Sequence, residues 1–164
     1  PPHARWSMEF FYPNFQNDMW RIMGLLFYGD KECFVVPGQK RFDYARVVDF
    51  CRREGIALYD AAYMVKRLRG NASDNFLKII EPTDIQSLLS SMPSCSAVVS
   101  TGGKSAEQIA SILGVPVPVV GGSVQFTLQP SQRTVTFHRM PSSSRAYPMS
   151  LDKKAALYQV LRNR

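Results

Sequence analysis

The amino-acid sequence predicts an α/β fold, a three-layer α/β/α arrangement with a mainly parallel central sheet, as one domain over residues 1–164. Three observations carry this. Helical and strand-like segments alternate along the chain. Each of two short apolar runs is bounded by turn residues, as in a strand buried on both faces. No internal repeat or low-complexity tract breaks the pattern.

Residues 17–28 read as a helix because Met19, Trp20, Met23, Leu26 and Phe27 recur at three- and four-residue spacing, and Gly29-Asp30 ends it. After a turn-rich linker, Lys40 to Glu54 predicts a second amphipathic helix that buries Phe42, Ala45, Val48 and Cys51, turns a basic face outward and stops at Gly55. Ile56-Ala57-Leu58-Tyr59 then predicts a short buried strand whose carboxyl end presents Asp60. Residues 66–75 are polar and read as loop, and Thr83-Asp84 caps a helix running through Leu89 and Met92. Ala97-Val98-Val99-Ser100 predicts another strand, Gly102-Gly103 its turn, and Ser105 to Leu113 a helix closed by Gly114. Beyond Pro116 and Pro118, Val124–Leu128 and Thr134–His138 have strand composition, and Leu151–Leu161 is a closing helix. Ligands of such folds sit beyond the carboxyl ends of the strands, so the loops after Tyr59, Ser100 and His138 are where chemistry is expected.

The composition narrows the partners. With 45% hydrophobic and 20% charged residues, and no run approaching the ~20 apolar residues of a membrane span, a transmembrane role is set aside. Lys and Arg number 20 against 13 acidic residues, a balance that favours a polyanion without defining a function. Cys33, Cys51 and Cys95 are odd in number and widely spaced, without a C-x-x-C pair, and only two histidines accompany them. They read as free thiols of a cytoplasmic protein, with neither zinc nor an iron–sulfur cluster. The chain opens Pro1-Pro2-His3 without an initiator methionine or a leader pattern, so a further segment is expected upstream.

Thr101-Gly102-Gly103-Lys104-Ser105 has the look of a phosphate loop, but the pattern G-x-x-x-x-G-K-S/T needs glycine where this chain has Val98. Nucleotide-triphosphate hydrolysis is therefore set aside in favour of a Gly-Gly turn whose helix N-terminus can meet a phosphate. Two other segments are richer. Phe11-Tyr12-Pro13-Asn14-Phe15-Gln16-Asn17-Asp18-Met19-Trp20 packs aromatic rings and amides before a helix, which an Asn17 cap with a hydrophobic staple would also explain. Met140-Pro141-Ser142-Ser143-Ser144-Arg145-Ala146-Tyr147 follows a strand with small hydroxyl residues and one cation, and a plain serine-rich turn is its simpler reading.

Together these segments resemble the uracil-DNA glycosylase superfamily, in the branch of mismatch-specific (G:T/U) and hypoxanthine-DNA glycosylases. The first is similar to that branch's aromatic-aromatic-x-Asn-Pro-x-Asn-x-Phe-Trp signature, with Tyr12, Asn14, Asn17, Met19 and Trp20 in register. The second is similar to its Leu-Pro-Ser-Thr-Ser-Pro-Ala loop. Between them Gly55-Ile56-Ala57-Leu58-Tyr59-Asp60 resembles a Gly-Ile-x-Leu-x-Asp stretch, and Thr101-Gly102-Gly103-Lys104 an Asn-Gly-Gly-Lys turn. Phe15, Met140 and Arg145 depart from the pattern, standing where proline, leucine and proline are usual. By the same resemblance the family's opening strand and its Gly-Ser-Phe-Pro turn would precede Pro1.

The resemblance implies a uracil-DNA glycosylase-like fold. It also implies a base-excision repair enzyme, a monofunctional N-glycosylase that hydrolyses the bond to uracil, hypoxanthine or xanthine flipped out of DNA. Asn14 and Asn17 would form the catalytic pair, Asn14 holding the attacking water and Asn17 bracing its loop. Tyr12 would stack on the base beside Phe11, and Asp60 with Ala61 would lie against the base edge, a structural cap being the alternative role for Asp60. Ser142, Ser143, Ser144 and Lys104 would grip phosphates, and Arg145 or Tyr147 would fill the vacated stack. No cofactor or metal is implied. The partner would be double-stranded DNA with a deaminated or mismatched base, bound by a monomer in the cytoplasm at the nucleoid. A non-catalytic nucleic-acid-binding domain, or a nucleoside- or nucleotide-binding protein on the same fold, remains the alternative.

Overall fold

A computed structural model of the chain describes residues 11–58, 62–67, 77–82 and 85–162. Its elements run α1 (Met19–Tyr28), α2 (Tyr44–Glu54), β1 (Ala62–Arg67), β2 (Leu77–Pro82), α3 (Ile85–Ser90), β3 (Ala97–Thr101), α4 (Gly103–Leu113), β4 (Ser123–Leu128), β5 (Arg133–Met140) and α5 (Leu151–Leu157), which continues as a 3₁₀ turn over Tyr158–Leu161. The protein is thus of the α/β class, and the chain divides into two compact units. One takes Pro1–Tyr59 and Ser143–Asn163, and the other Asp60–Ser142 with Arg164.

The first unit is helical. Met19, Trp20, Ile22, Met23 and Leu26 are buried along α1, whose end is closed by Gly29 at φ 65°. Gly29 is left-handed, a conformation that costs glycine little and other residues more. Helix α5 packs on α1, and the Arg162 guanidinium donates to the Leu26 carbonyl, 3.1 Å, at the C-terminal end of α1. An aromatic cluster ties α2 to the rest. The Phe50 ring lies 4.9 Å from Phe27 and 5.0 Å from Phe34, with Tyr28 at 6.1 Å. Such ring pairs contribute about 0.5–1.5 kcal/mol each beyond the area they bury.

The first unit departs from the sequence expectation in the second helix and in the run from Ile56. The second helix begins at Tyr44, not Lys40, because Asp43 caps it through a hydrogen bond from the Arg46 amide, 3.1 Å. Phe42 is buried ahead of the helix, where it bridges to Val35. The inward face is Val47, Phe50 and Cys51; Ala45 is exposed and Val48 half-buried, so the buried stripe is rotated toward the aromatic rings. The run from Ile56 forms no strand over 56–58, where Ala57 is exposed. Gly55 ends the helix with a left-handed residue, and the Ile56 amide donates to the Cys51 carbonyl, 2.9 Å, closing the turn. Tyr59, Asp60 and Ala61 lie outside the described residues.

In the second unit β1 and β2 form an antiparallel pair, so residues 66 and 67, read from sequence as loop, close a strand. The larger sheet is three-stranded in the order β3-β5-β4. Strand β3 runs parallel to β5 with Ser100 beside Arg139, whereas β4 and β5 are an antiparallel hairpin. The described sheet is therefore mixed, because the four residues between β4 and β5 are too few for a parallel crossover. Helices α3 and α4 cover one face, burying Ile85, Leu89, Ala106, Ile109 and Ala110 against Leu128, Val135 and Phe137. The Arg133 guanidinium donates to the carbonyls of Leu89, in the last turn of α3, and of Met92 and Pro93 beyond it. No helix of the described residues is long and apolar enough to cross a membrane.

Candidate functional site

The aromatic-amide segment is a chain of turns held by its own side chains. Asn14 Oδ1 accepts from the Gln16 amide, 2.9 Å, and the Asn14 carbonyl from the Asn17 amide, 2.8 Å. Asn17 Oδ1 then accepts from the Met19 amide, 2.9 Å, and so satisfies a first-turn donor of α1. Asp18, not Asn17, holds the N-cap position and makes no side-chain cap bond, so the cap expected of Asn17 is replaced by an Asx turn one residue ahead of it. Trp20 Nε1 donates to the Phe11 carbonyl, 3.2 Å, and the Tyr12 ring meets the Trp20 ring edge-on at 6.3 Å. Tyr12 has φ 52°, a left-handed conformation costly for an aromatic residue. Non-glycine residues keep such angles where surrounding structure enforces them, and functional loops are over-represented among them. The Tyr158 hydroxyl is fully buried, and burial first, then Tyr12, push its pKa far upward.

The serine loop joins this segment directly, although the two lie at opposite ends of the chain. Asn17 and Ser144 form an isolated antiparallel bridge, and the Asp18 amide donates to the Ser143 carbonyl, 2.8 Å. The Arg145 amide donates to the Gln16 carbonyl, 3.3 Å. Its guanidinium reaches Gln16 Oε1 at 3.1 Å and Asp18 Oδ1 at 3.2 Å. On the buried side Arg21 Nη1 donates to the same Asp18 oxygen, 3.2 Å, and to the Phe15 and Asn17 carbonyls, 2.9 and 3.2 Å. The Arg21 guanidinium also stacks 4.4 Å over the Phe15 ring. Burial, then the nearby Arg145 charge, push its pKa down.

A third cation secures the loop. Lys154, on α5, is 1% exposed, and its Nζ donates to the Ser144 carbonyl, 2.7 Å, with the Tyr147 ring 5.8 Å away. Burial lowers its pKa first, Asp18 opposes that, and Arg145 adds to it. Arg21 and Arg145 thus pair with one carboxylate, whose charge Lys154 also feels, and Glu32 is a second acidic group acting on Arg21. Phe15, Asp18, Arg21, Lys31, Glu32, Arg145 and Leu151 line a shallow depression of about 340 Å³ beside it. Tyr12 and Asn14 do not line that depression, which suits an anion beside Arg145 better than a stacked base.

Of the expected site residues, Phe11, Tyr12, Asn14, Asn17, Ser143, Ser144, Arg145 and Tyr147 are brought together in the first unit. Ser142 and Lys104 belong to the second unit, where Ser142 Cβ stands 3.7 Å from the position a Cβ on Gly102 would take and Lys104 is exposed in the first turn of α4. Asp60 and Ala61 fall outside the described residues. Asp18, Arg21 and Lys154 were not anticipated. The Asp18–Arg21 spacing of three on a helix is a readable ion-pair signal; Lys154 has no local signal at all. The described residues contain no group of His, Cys, Asp or Glu able to hold a metal ion. No family model, curated protein or solved structure matches this chain.

Proposed function

We propose that the protein is a DNA base-excision glycosylase of the uracil-DNA glycosylase type, with the three-layer α/β/α architecture of that superfamily. It would hydrolyse the N-glycosidic bond of uracil, hypoxanthine or xanthine extruded from a duplex. The observation that carries the reading is the bridge between Asn17 and Ser144. The two segments that resemble the family's signatures are 127 positions apart from Asp18 to Arg145, yet they meet through backbone and side chain.

The chemistry follows from the residue types. Extruding a base costs a few kcal/mol and is easiest at mismatches. Tyr12, fixed at its unusual angle, supplies a ring for the flipped base. As the bond breaks, the sugar gains oxocarbenium character, and the attacking water needs orientation more than deprotonation. A neutral amide suits that task. Asn14 Oδ1 accepts one backbone N–H, which fixes the amide plane and leaves Nδ2 and a second lone pair for water. Arg145, half exposed at 49%, is held by Asp18 with guanidinium donors to spare for a phosphate or the vacated stack. Lys154 and Asp18 keep the serine loop in shape.

Incubating the protein with duplexes carrying one of the three bases, followed by alkaline strand scission, tests this. A nick at the damaged position supports it, and salt-sensitive binding without any nick would leave a nucleic-acid-binding domain instead.

A further inference from the structure

Strand β4 ends one side of the three-stranded sheet, because among the described residues it pairs with β5 alone. We propose that this edge joins a second copy of the chain, β4 against β4 in antiparallel register about a two-fold axis at Gln125, so that the two sheets become one.

The backbone phase decides which groups the edge offers. In an antiparallel ladder, hydrogen-bonded and non-hydrogen-bonded pairs alternate. The Arg139 amide donates to the Gly122 carbonyl, 2.9 Å, in continuation of the β4–β5 register, so that pair is hydrogen-bonded. Val124, Phe126 and Leu128, at alternate positions from it, therefore turn their amides and carbonyls toward β5. The other side of β5 agrees: the Thr136 amide donates to the Ser96 carbonyl, 3.0 Å, which leaves Val135 and Phe137 to face β4. Ser123, Gln125 and Thr127 point their backbone groups outward, and all three residues are exposed. Among the described residues these outward groups have no hydrogen-bond partner.

A row of free amides and carbonyls recruits another strand, and proteins blunt such edges with charge, proline or a bulge. Strand β4 has none of these. Its six residues pair with β5 without a register shift, and from Gln108 to Gln132 the sequence has no acidic or basic side chain. In a chain of formal net charge +7, whose copies repel one another, this stretch adds nothing to the repulsion. Val117, Val119 and Val120, immediately before the strand, are exposed as well and extend the uncharged surface.

Strand β4 is also complementary to itself. With Gln125 opposite Gln125 of the second copy, Ser123 meets Thr127 of the second copy and Thr127 meets Ser123. These are hydrogen-bonded pairs, and a hydroxyl pair flanks the amide pair on each side. Val124 then falls opposite Phe126 of the second copy, a non-hydrogen-bonded pair whose Cα atoms approach to about 4.5 Å. Both side chains pack on the core that α3 and α4 cover, yet each is only partly buried. An aromatic ring against a β-branched residue is a favourable cross-strand pair, so the contact deepens their burial and carries the core across the axis. Each copy spends its single β4 edge, and assembly stops at a dimer.

Pairing at β4 is independent of base release, and it replaces the monomer that the family resemblance implies. The test is sedimentation velocity of the full chain up to ~100 µM, where an interface with a Kd of ~10 µM is mostly dimeric, with amide hydrogen exchange followed at the same concentrations. A dimer is expected, and the Ser123, Gln125 and Thr127 amides should gain protection as it forms. Gln125→Lys and Gln125→Glu change an exposed side chain and set like charges opposite one another across the axis, with circular dichroism as the check on folding. Each variant alone should dimerise several-fold more weakly than wild type, and their equimolar mixture should associate more tightly than either. A monomer throughout the range, a dimer whose three amides stay unprotected, or a mixture no tighter than its separate components would overturn the pairing.

Discussion

Asp18 holds two guanidiniums on one oxygen: Arg21 Nη1, three residues along α1, and Arg145 Nη2, from the serine loop, both stand 3.2 Å from Oδ1. The two partners differ in burial. The Arg21 side chain is 8% exposed and that of Arg145 49%, so the same carboxylate makes one interior pair and one surface pair.

Removing the carboxylate should therefore cost far more than removing the outer cation. Asp18→Ala strands the buried Arg21 charge and is expected to lower unfolding free energy by about 3 kcal/mol. Arg145→Ala should cost less than about 1 kcal/mol. Urea denaturation of the two variants measures both. Equal losses would mean that Arg21 finds other acceptors among its carbonyl partners.

DNA binding should rank the variants the other way in kind. Arg145→Ala is expected to weaken duplex binding and to reduce the slope of log affinity against log salt by about one phosphate contact. A slope identical to wild type would remove Arg145 from the phosphate contacts.

Acid should reveal His138. Burial lowers its pKa below the ordinary 6.5, so between the folded value and 6.5 the unfolded chain binds more protons than the folded one. The associated stability is complete above 6.5 and is lost as pH falls through the folded value. Thermal midpoints across that window should fall in wild type, and fall less in His138→Gln.

Thiol chemistry tests the packing of α2. Burial raises Cys51 to about 11, so at pH 8 its thiolate is scarce, whereas Cys33 is only partly covered. Mass-spectrometric mapping after brief iodoacetamide treatment should find Cys33 alkylated well before Cys51. Cys51 labelling as fast as Cys33 would mean the helix does not stay docked.

The rhythm of helix and strand was legible in the sequence because it depends on local spacing: Met19, Trp20 and Met23 announce α1, and Gly114 announces the end of α4. The phase of α2 was not, since the choice of Phe50 and Val47 over Ala45 and Val48 is made by rings on other segments, Phe27 and Phe34. The apolar run at Ile56 misled for the opposite reason. Its composition suits a strand, but the chain there is engaged in the turn that closes the helix. The site divides similarly. The amide turns around Asn14 and Asn17 are local and readable, but Asp18 with Arg145 and Lys154 with Ser144 join positions that no periodicity connects. The outer edge of β4 was silent too, because which strand ends a sheet is visible only once the strand order is known.

In the proposed reaction Asn14 positions the water that releases a damaged base. Single-turnover base release from uracil-, hypoxanthine- and xanthine-containing duplexes, compared between wild type and Asn14→Ala, tests it most directly. Wild type should release at least one of the three bases. The variant should be slower by ~100-fold or more, the range for loss of a group acting at the transition state, with duplex affinity nearly unchanged. No release by wild type, or equal rates for the two proteins, would contradict the account.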